Sequence, residues 1–140
     1  MKTIVFKVSY SGGKKFERTF EFNETQTLAD LHDAIMKELK WYDDHLYSFF
    51  LDNKVWSKNK DSEYTRPDQE DELEAKSADI SLNKLGFKLG QKFAYIFDFG
   101  DEHTFRIQVK NIGKAIAGQK YPLIIEATGK HFEQYQETEE

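Results

Sequence analysis

The chain has 140 residues, enough for one domain with a single core and too few for two independent ones. With 12 Phe, 7 Tyr and 2 Trp its interior should be built on aromatic rings, as in a sheet protein; the lack of Cys excludes disulfides, iron–sulfur ligation, thiolate nucleophiles and Cys-containing zinc sites. The net charge of −5 is segmental: residues 61–79 carry eight acids against Arg66 and Lys76, residues 131–140 carry four acids and no Lys or Arg, and the rest is mildly basic.

In chain order, Ile4, Phe6, Val8 and Tyr10 alternate with Val5, Lys7 and Ser9. Phe16, Phe20 and Phe22 alternate with Glu17, Thr19 and Glu21 beyond a Ser-Gly-Gly-Lys turn at 11–14, so period two predicts a hairpin. Arg18 falls in the apolar phase, which requires an early strand end or a side chain reaching past its neighbours. Thr27 and Asp30 form a capping signature ahead of the stripe Leu28, Leu31, Ile35, Leu39. Asp30 and Asp33 lie near the start and Lys37 and Lys40 near the end, so an amphipathic helix is expected.

His45 to Leu51 reads as a buried strand, followed by a turn at Asp52–Lys54 and a short return through Val55-Trp56. Residues 57–79, charged and interrupted by Pro67, are expected to be a mobile insertion. Ser81 to Leu85, closed by Gly86, reads as a short helix; Phe93–Phe99 and Thr104–Lys110 as a second hairpin; Tyr121–Ala127 as a last strand. The order describes an α+β single domain over residues 1–130, with a curved, mixed, mainly antiparallel sheet and one main helix packed on one face. Its N-terminal half is expected to be β-grasp-like, and residues 131–140 to be an acidic tail. No apolar run approaches the roughly 20 residues that span a bilayer, so a cytoplasmic protein without a membrane partner is expected.

Chemistry concentrates at the tip of the second hairpin. Phe93, Tyr95, Phe97 and Phe99 should share one face, leaving Asp98 as an acid on the opposite, apolar face. The plain reading has Asp98 accept backbone N–H bonds and fix the turn. The sharper reading gathers His45, Asp98, Asp101 and His103 into a divalent-metal site able to activate water. The plain reading is preferred, because acids at loop ends far outnumber ligands and no HxxxH or DxDxD spacing occurs. His32, beside the helix stripe, reads as a packed residue rather than a base. Trp41 reads as a plug at the core's edge or a stacking platform. No Gly-x-Ser-x-Gly, P-loop or Rossmann fingerprint is present, and the Asp-Phe-Gly triplet lacks the rest of a kinase signature.

Leu31-His32, Trp41, His45-Leu46, Phe49, Tyr95, Asp98-Phe99-Gly100-Asp101 and Tyr121-Pro122 together resemble the plasmid pRiA open-reading-frame-three-like family, also met as a passenger of transposons. The resemblance covers most of the chain outside 57–79 and the tail, and implies a plasmid- or transposon-associated protein. The chain departs from the pattern at Tyr47, where a second histidine is usual, at His103, where the family carries tryptophan, and at Phe105, a histidine position. The Pro-Pro-Glu-Asp end of the family is missing. A His-rich metal centre common to the family would be half lost here. The expectation is a non-enzymatic module that binds an unknown protein or small molecule through Trp41, His45, Asp98 and Asp101, without a cofactor. The alternatives are a divalent-metal-dependent hydrolase or nuclease on His45, Asp98, Asp101 and His103, and a nucleic-acid-binding accessory protein of mobile elements.

Overall fold

The alternating residues of the first hairpin pair as β1 (Lys2–Tyr10) and β2 (Glu17–Asn23), antiparallel, with Phe6 opposite Phe20 and Val8 opposite Arg18. The computed structural model describes residues 1–135. Arg18 stays in the strand at 7% exposure. Its guanidinium lies 4.3 Å from the Phe16 ring centroid, Nε donates to Glu38 at 2.8 Å and Nη1 to the Glu17 carbonyl at 2.8 Å. A buried cation is tolerable there because its donors are taken up.

Helix α1 (Leu28–Leu39) begins with a reciprocal capping box. Asp30 N–H donates to Thr27 Oγ1 at 3.0 Å and Thr27 N–H to Asp30 Oδ2 at 2.9 Å. Its buried face is Leu28, Leu31, His32, Ile35, Met36 and Leu39, and the helix ends at Lys40 in the left-handed region, φ 58°.

The remaining strands are β3 (Tyr47–Phe50), β4 (Glu63–Thr65), β5 (Lys76–Ser77), β6 (Lys92–Phe97), β7 (His103–Lys114) and β8 (Leu123–Thr128). They form one open, mixed sheet in the order β5-β4-β3-β6-β7-β1-β2-β8, in which β4–β5 is the parallel pair. β1 lies between β2 and β7 with both pairs antiparallel, so what the sheet shares with the β-grasp expectation is the order hairpin then helix. Phe6, Phe20, Phe22, Phe49, Phe93, Tyr95 and Phe105 meet the α1 stripe in one core. Burying each such ring contributes roughly 1.5–3 kcal/mol.

Three expectations are corrected. Residues 57–79 are not an insertion outside the core: they carry β4, a helical turn α2 (Glu70–Leu73) and β5, with Ser62, Glu63, Tyr64, Thr65 and Ala78 buried. Their charge misleads because the buried Glu63 is paired, accepting from Ser48 Oγ at 2.7 Å and Lys60 Nζ at 2.9 Å. Secondly, Phe99 does not continue the Phe93–Phe97 row. Asp98 adopts φ 66°, which breaks the pleat and sends Phe99 to the opposite face, against Trp56 at 4.9 Å between ring centroids. Thirdly, the packed part does not stop at residue 130: Gln134 is buried and Phe132 half-buried, while residues 136–140 of the expected acidic tail lie outside the described residues. No helix among the described residues is long and apolar enough to cross a membrane.

Candidate functional site

His32, on the inward face of α1, has 1% exposure and meets two strands at once. Its ring stacks on Tyr47 of β3 at 3.7 Å and 11°, and its Nδ1 lies 2.6 Å from the Tyr95 hydroxyl of β6. On the other side, Nε2 lies 2.9 Å from Asp43 Oδ1, just past the helix. Arg66, directly after β4, closes the set: Nη2 donates to the same Asp43 oxygen, while Nε and Nη2 donate to the His45 carbonyl at 3.1 and 2.5 Å. Its guanidinium lies 4.8 Å from the Tyr47 ring centroid.

The protonation pattern follows from the partners. The His32 bond, with Arg66 beside it, holds the Asp43 carboxyl well below the usual carboxylate range, so it accepts only. His32 Nε2–H must therefore donate to it, and Nδ1 accepts the Tyr95 O–H. Burial pushes the His32 pKa down despite the carboxylate, which favours the neutral ring. Burial also raises Tyr47 and Tyr95, so both stay protonated. Hydroxyl, imidazole and carboxylate stand in the order of a nucleophile relay, but the hydroxyl is that of Tyr95, at 0% exposure, where no substrate reaches it. As it stands the arrangement ties α1, β3, β6 and the Arg66 turn together.

The hairpin tip is separated from this set by Phe97, whose ring lies 5.8 Å from His32, 6.1 Å from Trp41 and 5.9 Å from His45. Asp98 Oδ1 accepts the Gly100 and Asp101 N–H groups at 3.1 and 3.3 Å, and the Asp98 N–H donates to the Leu46 carbonyl at 2.8 Å. Its second oxygen lies 3.5 Å from His45 Nε2. His103 does not join them: its Nδ1 faces the Tyr10 hydroxyl at 3.1 Å and its Nε2 the Gln134 carbonyl at 3.0 Å. Asp101 is exposed and contributes its N–H to the turn. Trp41 spends its indole N–H on the Phe132 carbonyl at 2.7 Å, and His45 Nε2 meets the Tyr135 hydroxyl at 2.6 Å.

Of the candidates named from the sequence, then, His45 and Asp98 come together, Asp101 stands exposed, and Trp41, His45 and His103 are each met by the chain's own residues 132–135. The trio of His and carboxylate groups that reaches metal-ligand spacing among the described residues is instead His32, Asp33 and Asp43, within 4.8 Å of one another. Asp43, Arg66 and Tyr95 were not singled out as site residues by the sequence reading. Arg66 was assigned to the insertion and Tyr95 to an aromatic row, and Asp43-Asp44 beside His45 was the one local signal.

An open α+β sheet with one main helix and a polar set held among core aromatics defines the class. A family model for plasmid pRiA4b ORF-3-like protein matches residues 2–134, and the chain belongs to that family. It is 27% identical over 108 residues to the uncharacterized protein y4hQ of Sinorhizobium fredii (strain NBRC 101917 / NGR234), covering 75% of this chain and 50% of that protein. The chain thus spans half the length of this relative. Its fold is similar to the crystal structure of MM3350, a protein of unknown function from Methanosarcina mazei Go1, with a TM-score of 0.69 and 24% identity over 90% of this chain and 68% of that one.

Proposed function

We propose that the chain is a non-enzymatic binding module whose partner-holding surface is the end bearing Trp41, His45, Asp98 and Asp101. The observation that carries this is the closure of the imidazole set: His32, Tyr47 and Tyr95 have 1% exposure or less, and of their partners only Asp43 and Arg66 reach solvent. A general base or nucleophile must lie within hydrogen-bond reach of a substrate, and the core denies that reach. At the neighbouring end Tyr42, Asp44, Asp101 and Tyr135 are exposed around the buried Trp41 and Asp98, which supports holding rather than converting. The family name supports a plasmid-associated setting, which we place in the cytoplasm. A screen against ester, phosphate and glycoside substrates should find no turnover. Turnover abolished by His32→Ala or Asp98→Ala in a folded variant would overturn the reading.

A divalent-metal reading is favoured by one observation, the convergence of His32, Asp33 and Asp43. It ranks second because Asp43 is already shared by His32 and Arg66, and a cation there would stand beside a guanidinium. Zinc and manganese titrations with melting curves separate the two: a rise in Tm lost in Asp33→Asn supports the metal, and an unchanged Tm supports the module.

A further inference from the structure

We propose that the end of the sheet carrying Trp41, His45 and His103 is a recognition site for an extended polypeptide of the form aromatic, any residue, glutamine, tyrosine, and that Phe132–Tyr135 occupy it in cis. The proposal rests on the binding-module reading and names the partner class of that same surface.

After β8 the chain turns at Gly129, where φ is 80° and a Cβ would stand 1.9 Å from the Lys15 carbonyl oxygen, so only glycine fits the departure. Arg18 Nη1 donates to the Thr128 and Gly129 carbonyls at 3.1 and 2.9 Å and fixes the direction the segment takes. Beyond that point the surface reads the segment residue by residue. The Phe132 ring lies 4.8 Å from Tyr10, 5.3 Å from Trp41 and 6.2 Å from Phe16 between centroids, while its carbonyl accepts the Trp41 indole N–H. Glu133 is exposed, which leaves its position free. Gln134 is a clamp on the receptor's main chain: its Oε1 accepts the Tyr42 N–H at 2.8 Å and its Nε2 donates to the Tyr42 carbonyl at 3.1 Å. Tyr135 reaches His45 through its hydroxyl.

Two features distinguish this from the packing of a chain end. Trp41 and His103 address the carbonyls of Phe132 and Gln134, which any extended polypeptide offers, while the ring pocket, the Tyr42 main chain and His45 read side chains. The segment and Leu39–Tyr42 also line an open groove of about 230 Å³ between them. That space admits a bulkier side chain than the resident segment supplies. A tethered segment competes at an effective concentration in the millimolar range, so a partner in trans must outbind it or be present in excess.

The test uses the full chain and an N-terminally labelled synthetic peptide spanning Lys130–Tyr135, followed by fluorescence anisotropy. The variant Phe132→Ala/Gln134→Ala weakens the resident segment without altering the receiving surface. It should bind the peptide roughly ten-fold more tightly than the parent chain, and a peptide with alanine for Gln134 should lose that gain. Equal binding by parent and folded variant, or a peptide whose glutamine does not matter, overturns the proposal. Should the variant not fold, the parent chain decides by NMR. Several-millimolar peptide should shift the His131–Tyr135 and Tyr42 amide resonances while those of β5 and α2, at the far edge of the sheet, stay fixed. Resonances that do not move overturn it. Turnover in the substrate screen would count against the module reading alone, so the two failures are distinguishable.

Discussion

His32 on the helix and Tyr95 on the sixth strand, 63 residues apart, share a 2.6 Å hydrogen bond inside the core. Removing the hydroxyl leaves Nδ1 of a buried ring without a partner, the costly side of the hydrogen-bond balance. Tyr95→Phe should therefore lower unfolding stability by about 1–3 kcal/mol while keeping the ring packing. Urea denaturation measures this, and the accompanying change in m should be small.

The same ring makes stability depend on pH. His32 is depressed from its model-peptide value of 6.5 in the folded state, so below that value the unfolded chain binds a proton the folded chain refuses. Its contribution is fully present above 6.5 and is lost progressively as pH falls toward the folded-state pKa. The chain should thus be less stable at about pH 5.5 than at about pH 7.5. Denaturation midpoints at the two values check it, and His32→Gln should flatten the slope.

Arg66 joins the edge of the sheet to the helix end through Asp43 and the His45 carbonyl. Arg66→Ala should cost about 1–3 kcal/mol, since the guanidinium's bonds to a carboxylate and to a main-chain carbonyl are both lost. Arg66→Lys should recover little, because a single ammonium cannot reproduce the guanidinium fork. Thermal melts of the two variants beside the parent decide this.

Asp98 combines a left-handed backbone with a carboxylate that accepts two turn amides. Asp98→Asn keeps an acceptor oxygen and tolerates the backbone, so it should change stability by less than about 0.5 kcal/mol. Asp98→Ala loses both properties and should cost about 1–3 kcal/mol. Chemical denaturation separates the pair.

The first hairpin and the helix were legible in the sequence because their signals are local: period two around a Gly-Gly turn, and a Thr–Asp cap ahead of a clean stripe. The turn role of Asp98 was legible for the same reason, the N–H groups that donate to it lying two and three residues on. The imidazole set was not, because Asp43 and Arg66 are 23 residues apart and meet only once β4 has paired with β3. The excess of acids in 61–79 hid that strand, whose buried Glu63 is masked by Lys60 and Ser48 rather than by water. The acids of residues 131–140 likewise masked Phe132, Gln134 and Tyr135, two rings and an amide in a segment expected to be an acidic tail outside the domain. The phase of Phe99 failed on a single positive φ, which a two-residue period cannot anticipate.

The central claim is that the His32 assembly holds the core together and leaves binding, not conversion, to the surface beside it. Nitrogen-15 NMR of the His32 ring between about pH 5 and 8 tests this most directly, since an ordinary imidazole titrates within that window. The ring should be neutral, protonated on Nε2, and should stay so below the ordinary histidine value. A ring that titrates near that value and exchanges its proton freely with solvent would be a base open to substrate, and would contradict it.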